Sequence, residues 1–150
     1  MNVQYKLIEK IASETRKELE SFSRKIHIRG SNKQTLQGFC LIGTCLFIGV
    51  ASEFNIDAIP IYGKYCRLGS FSMNPDNSCQ HWWADCNGIV VDITVSQFII
   101  DKIYIGKPGD KYWELSRGFD FTNWACAQSP VPYEKILKIS QENIINALLL

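Results

Sequence analysis

The sequence predicts an α+β fold, with helices packed on an antiparallel sheet. Three observations carry this expectation. Apolar residues recur at helical spacing at both ends of the chain, residues 39–54 are apolar on nearly every side, and an Asn-Gly pair joins two strand-like runs. The 150 residues suit one domain, 1–150, large enough to bury a core without disulfides or metal.

The elements follow in order. Val3, Leu7, Ile8, Ile11, Leu19, Phe22 and Ile26 recur at steps of three, four and seven, which predicts an amphipathic helix over 2–24. Glu9, Lys10, Glu14, Arg16, Lys17 and Glu20 fall mainly between them and read as its solvated face. Gly30-Ser31-Asn32 marks a turn in a polar connection, 28–38. The segment 39–54 is too long for a strand and reads as a helix buried all round. Thr35 is its candidate N-cap, Cys40 falls in its first turn, and Gly43 and Gly49 allow close packing.

Residues 58–65, rich in Ile and Tyr, read as a strand, and 69–78 as a polar loop. Two further strands, 80–86 and 89–94, meet at Asn87-Gly88, the strongest short hairpin signal. A helical turn is expected within 95–101 and more strand at 102–106 and 111–115. An aromatic loop follows at 118–131, then a closing amphipathic helix with Pro132 near its start.

Composition excludes several functions. Sixteen basic and fifteen acidic residues leave a net charge of +1, which argues against nucleic acid and against a polybasic membrane anchor. The longest apolar stretch is about 13 residues, short of a membrane span. Residues 1–20 lack the continuous apolar region of a signal peptide. The expected location is therefore cytoplasmic, with delivery as an effector as the alternative. There the six cysteines stay mostly reduced, and no C-x-x-C pair suggests a zinc or redox motif. Cys79, His81 and Cys86 supply three potential ligands, too few for a structural zinc site.

The hairpin permits a geometric argument. With a two-residue loop, Cys86 faces Ile89 and paired positions sum to 175. Trp82, Ala84, Cys86, Ile89, Val91 and Ile93 then share one apolar face, which must look into the core. His81, Trp83, Asp85, Val90, Asp92 and Thr94 share the other. His81 and Asp92 become diagonal neighbours, about 7–8 Å apart in backbone and within reach of each other's side chains. A carboxylate that fixes an imidazole tautomer supplies two members of a nucleophilic triad. Cys40 suits the third role, because a helix N-terminus and a facing imidazolium both favour a thiolate.

Here the chain resembles a known superfamily. Gly38-Phe39-Cys40, an apolar helix, and Asn55-Ile56-Asp57-Ala58 before a strand are similar to the nucleophile segment of transglutaminase-like, papain-like cysteine enzymes. There Gly-x-Cys opens a helix that ends in a Gly-Ile-Pro-Ala-like turn; Asn55 and Asp57 depart from that pattern. His81-Trp82-Trp83 resembles the superfamily's His-x-Trp strand, and 88–94 its Asp-Pro-Thr strand, with Ile93 for Pro. The ending Asp92-Ile93-Thr94-x-x-Gln97-Phe98 is similar to small bacterial proteins of this type. The resemblance covers about residues 36–98. It implies a papain-like fold whose Cys-bearing helix packs on an antiparallel sheet carrying His and Asp.

The expected catalytic residues are Cys40, His81 and Asp92, acting on an amide or other acyl bond of a protein, peptide or small acyl substrate. Water as acceptor makes a peptidase, amidase or glutamine deamidase; an amine makes a transglutaminase or acyltransferase. Gln34 and Gln37 are candidate oxyanion donors, as is the Cys40 backbone N–H. This chemistry needs no metal or organic cofactor. Loops 66–79 and 116–131, carrying Phe71, Met73, Phe119, Phe121 and Trp124, are expected to wall a cleft, and Trp83 to shield the imidazole. Cys45 reads as core, His27 as structural, and Gln97 as a residue that holds the loop after Asp92. The competing reading makes Cys40 an inert thiol and the protein a non-catalytic binding module on the same fold.

Overall fold

A computed structural model describes residues 3–25, 31–32, 36–118 and 133–150, the last segment with backbone alone for 133–136. The fold is α+β. Helices α1 (Val3–Lys25) and α2 (Cys40–Glu53) precede strands β1 (Ile59–Cys66), β2 (Ser78–Cys86), β3 (Ile89–Asp92), β4 (Tyr104–Gly106) and β5 (Tyr112–Arg117), and helix α3 (Tyr133–Leu149) closes the chain. The strands form one antiparallel sheet in the order β4-β3-β2-β1-β5. The chain therefore crosses the whole sheet between β4 and β5.

The central helix is buried because it has no polar face to give to water. It packs on α1, α3 and β2. Gly43 lets it approach closely, since a Cβ there would lie 2.9 Å from Leu19 Cδ2 and 3.4 Å from Thr94 Cγ2. Leu19, Phe22, Leu46, Phe47, Ala84, Cys86, Val91 and Ile93 form the core between the helices and one sheet face. That face is the apolar one expected from the hairpin, and Trp82 lies half-buried at its margin. The register is the one the two-residue turn dictates: Cys86 pairs with Ile89, Asp85 with Val90 and Ala84 with Val91. Asn87 (φ 51°) and Gly88 (φ 90°) take the left-handed conformations that such a turn requires.

The opposite sheet face is also covered. Ile61, Tyr65, Trp83, Val90, Val95 and Tyr112 form a second, smaller core there, with Phe98, Ile99 and Tyr104 packed on it. The segment after β3 supplies much of this cover through a 3-10 turn, Val95–Gln97.

Arg16 corrects the expectation of a wholly solvated charged face on α1. It is buried, and its Nη1 donates to the Ile93 carbonyl (3.0 Å), Ser96 Oγ (2.8 Å) and the Lys102 carbonyl (2.8 Å). Its Nε pairs with Glu20 at 3.0 Å. The guanidinium thus ties 93–102 to α1, and a planar fork suits several acceptors at once. Arg16→Lys keeps the charge but leaves some of these acceptors unpaired. Urea unfolding is expected to show a loss of about 1–2 kcal/mol; a loss near zero would mean that the clamp is dispensable. Val3, expected on the apolar stripe, is exposed at the start of α1.

Candidate active site

Cys40 is the first residue of α2. The turn before it holds Leu36 (φ 60°) and Gly38 (φ 90°) in left-handed conformations. The Leu36 side chain is buried, and Asn32 N–H donates to the Gln37 carbonyl at 2.9 Å, which fixes the turn. No side chain caps the helix, and its first internal bond runs from Gly43 N–H to the Phe39 carbonyl. Cys40 is half-buried, and Thr44 Oγ1 donates to its carbonyl at 2.7 Å.

His81 and Asp92 meet as the hairpin geometry requires. The imidazole Nε2 donates to Asp92 Oδ2 at 2.8 Å, and both side chains are 0% exposed. β3 ends at Asp92, and β2 pairs with it only over residues 84–86, whereas its pairing with β1 runs from Asp85 back to Ser78. His81 therefore lies where the β3 edge of the sheet opens. Gln97 and Phe98, from the segment after β3, lie against the ring there. The Cys40 side chain contributes to the electrostatics of the imidazole. Asp92 holds Nε2, and Gln97 Nε2 lies 3.2 Å from Nδ1.

Burial alone pushes His81 toward its neutral form. The charge and hydrogen bond of Asp92, joined by the hydrogen bond and charge of Cys40, outweigh burial and raise its pKa from 6.5 to about 10. The shift favours the charged ring, paired with the Asp92 carboxylate.

Sequence reasoning missed several residues of the site. Tyr112, from β5, donates its phenol to Asp92 Oδ2 at 2.8 Å, and Thr94 N–H donates to Oδ1 at 3.1 Å. Burial, the Asp92 charge and this hydrogen bond hold the Tyr112 phenol far above its ordinary pKa, so it remains a donor. Gln97 Nε2 lies 3.2 Å from His81 Nδ1 and donates to Thr94 Oγ1 at 3.3 Å. Phe98 meets the imidazole edge-on, with ring centroids 4.8 Å apart. Trp83, 6.1 Å from the ring, is buried beside it, so water exclusion is shared between the two.

Other expected residues fall elsewhere. The Gln37 side chain is exposed, and Gln34 lies outside the described residues. So do His27, Thr35, Phe119, Phe121, Trp124 and Cys126. Phe71 stacks on Trp113 at 4.5 Å, and Met73 is exposed. Cys45, expected in the core, is half-buried; five helical residues turn it about 140° from Cys40. Cys86 points to the helical face of β2, away from Cys79 and His81. Among the described residues no group of three His, Cys, Asp or Glu is placed to hold a metal ion.

No helix among the described residues is long and apolar enough to cross a membrane. No protein-family model, curated protein or solved structure matches the chain.

Proposed function

We propose that the protein is a thiol-nucleophile acyl hydrolase or acyltransferase in which Cys40 attacks, His81 moves the proton and Asp92 orients His81. One observation carries this reading: a buried imidazole is bound through Nε2 to a buried carboxylate, and Cys40 acts on its protonation. The substrate is an amide or ester of a peptide or small acyl compound. The Cys40 sulfur bonds to the carbonyl carbon, and its electron pair moves to the oxygen. The backbone N–H groups of the first turn of α2, which begins at Cys40, are the donors this reading assigns to that developing charge. Collapse breaks the C–N bond as His81 gives its Nδ1 proton to the leaving amine. Water or a second amine then attacks the thioester carbonyl and returns a proton to Nδ1, and the C–S bond breaks to release the acyl product and the Cys40 thiolate. The cytoplasm suits this chemistry because it keeps the thiol reduced.

The complete burial of His81 favours a second reading, a non-catalytic binding module. One experiment separates the two. At pH 6.5, limiting iodoacetamide is expected to label Cys40 about tenfold faster than the other five cysteines, mapped by mass spectrometry, and His81→Ala is expected to abolish that preference. An activated ester should then leave its acyl group on Cys40, and release to water or to an added amine distinguishes hydrolase from transferase. A Cys40 that labels like its neighbours in both proteins would leave the binding module standing.

A further inference from the structure

Nδ1 of His81 has a second neighbour that the proposed chemistry leaves unused. Gln97 Nε2 lies 3.2 Å from it and 3.3 Å from Thr94 Oγ1. Thr94 caps the 3-10 turn that ends at Gln97, and residues three apart eclipse in such a turn. Next to Gln97, Ser96 Oγ accepts from Arg16 at 2.8 Å, so the turn is anchored to α1.

The chemistry of the two groups is distinctive. Nδ1 presents a lone pair when the ring is neutral and a hydrogen when it is charged. A glutamine amide meets either one, because a half turn about its last bond exchanges NH2 for C=O. The Thr94 hydroxyl follows, accepting from the NH2 in one setting and donating to the oxygen in the other. With its NH2 toward the ring the amide fits a neutral Nδ1, and the reversed setting fits the imidazolium. A carboxylate or a lysine in the same place would match only one state.

We propose that Gln97, backed by Thr94, is a positioning residue that holds the His81 ring in one orientation through both protonation states by turning its amide. This rests on the reading of Cys40, His81 and Asp92 as an acyl-transfer site, where Nδ1 loses and regains a proton in each turnover. Among the described residues, no other group facing the ring can do this. Asp92, from β3, is committed to Nε2, and Tyr112, from β5, reaches only Asp92. Cys40, from α2, is the group that reacts. Tyr65, from β1, meets the ring edge-on with centroids 6.2 Å apart.

The test uses the full chain with 15N-labelled histidine rings. Only two histidines are present, and His27→Gln assigns His81. A Cys40→Ala background removes the thiol from the ring and moves the His81 titration to lower pH. There, Gln97→Met is expected to shift the neutral-ring Nδ1 resonance to that of a free lone pair, with the titration midpoint kept within a few tenths of a pH unit. Gln97→Glu, an acceptor only, should raise the midpoint by about one pH unit or more. With Cys40 present, Gln97→Met should slow its alkylation about tenfold. A midpoint displaced by a full pH unit in the Gln97→Met protein would overturn the proposal, since the amide would then favour one state. An unmoved Nδ1 resonance would overturn the contact itself. An unreactive Cys40 in the unsubstituted chain, alongside the expected resonance and midpoint changes, supports the positioning role and sinks the acyl-transfer reading alone.

Discussion

Asp92→Ala is expected to destabilise the protein by about 3–5 kcal/mol and to remove the low-pH reactivity of Cys40. Three donors converge on this carboxylate: His81 Nε2 and the Tyr112 hydroxyl, each at 2.8 Å from Oδ2, and Thr94 N–H at 3.1 Å from Oδ1. Asp92 and His81 are fully buried, so water cannot replace the lost partner. Each donor left unpaired costs about 1–3 kcal/mol. The larger consequence concerns His81. Burial lowers its pKa, and Asp92 is the chief group that opposes burial. Without the carboxylate the ring shifts toward its neutral form, and the imidazolium that the proposed chemistry sets beside Cys40 is lost. Urea unfolding measures the first effect and iodoacetamide labelling the second. A double-mutant cycle with His81→Ala isolates the pair, and a coupling below about 0.5 kcal/mol would contradict the buried ion pair.

The His81–Asp92 pair was legible because it is local. Asn87 and Gly88 fix the turn, the turn fixes the register, and the register places the two side chains on one face. Cys40 was legible as the start of an apolar helix. How close it comes to His81 depends on how α2 packs against the sheet, which no spacing reports. Tyr112 was invisible for a related reason. Nothing in residues 111–115 says that their strand joins β1 at the far edge rather than β4, its predecessor in the chain. Arg16 posed a conflict between two signals. It lies four residues after Ala12 and three before Leu19, on the buried stripe, yet its charge argues for solvent. The stripe prevailed because the carbonyls of Ile93 and Lys102 lie within reach. Gln97 was visible as a residue three positions beyond Thr94, but its role needs the 3-10 turn that brings the two side chains together.

Stability is expected to fall as the pH rises from about 6.5 to 10. The folded protein holds the His81 proton with a pKa of about 10, against 6.5 for a free ring. The folded state therefore binds more protons than the unfolded state throughout that window, and linkage makes unfolding easier with each step in pH. The contribution is complete below pH 6.5 and lost as the pH passes the folded value. It amounts to on the order of 5 kcal/mol. Cys86, pushed up to about 12 by burial and by Asp85, acts in the same direction at higher pH. So does Tyr112, whose phenol is held far above its ordinary value. Neither titrates in the unfolded chain below about pH 8, so the fall between pH 6.5 and 8 belongs to His81. Urea midpoints at pH 6, 7, 8 and 9 measure it, with His81→Gln as the comparison. The substituted protein should show a nearly flat profile to pH 8. A parallel decline in both proteins would place the titrating group elsewhere and leave His81 neutral in the fold, where Cys40 would face a base rather than an imidazolium.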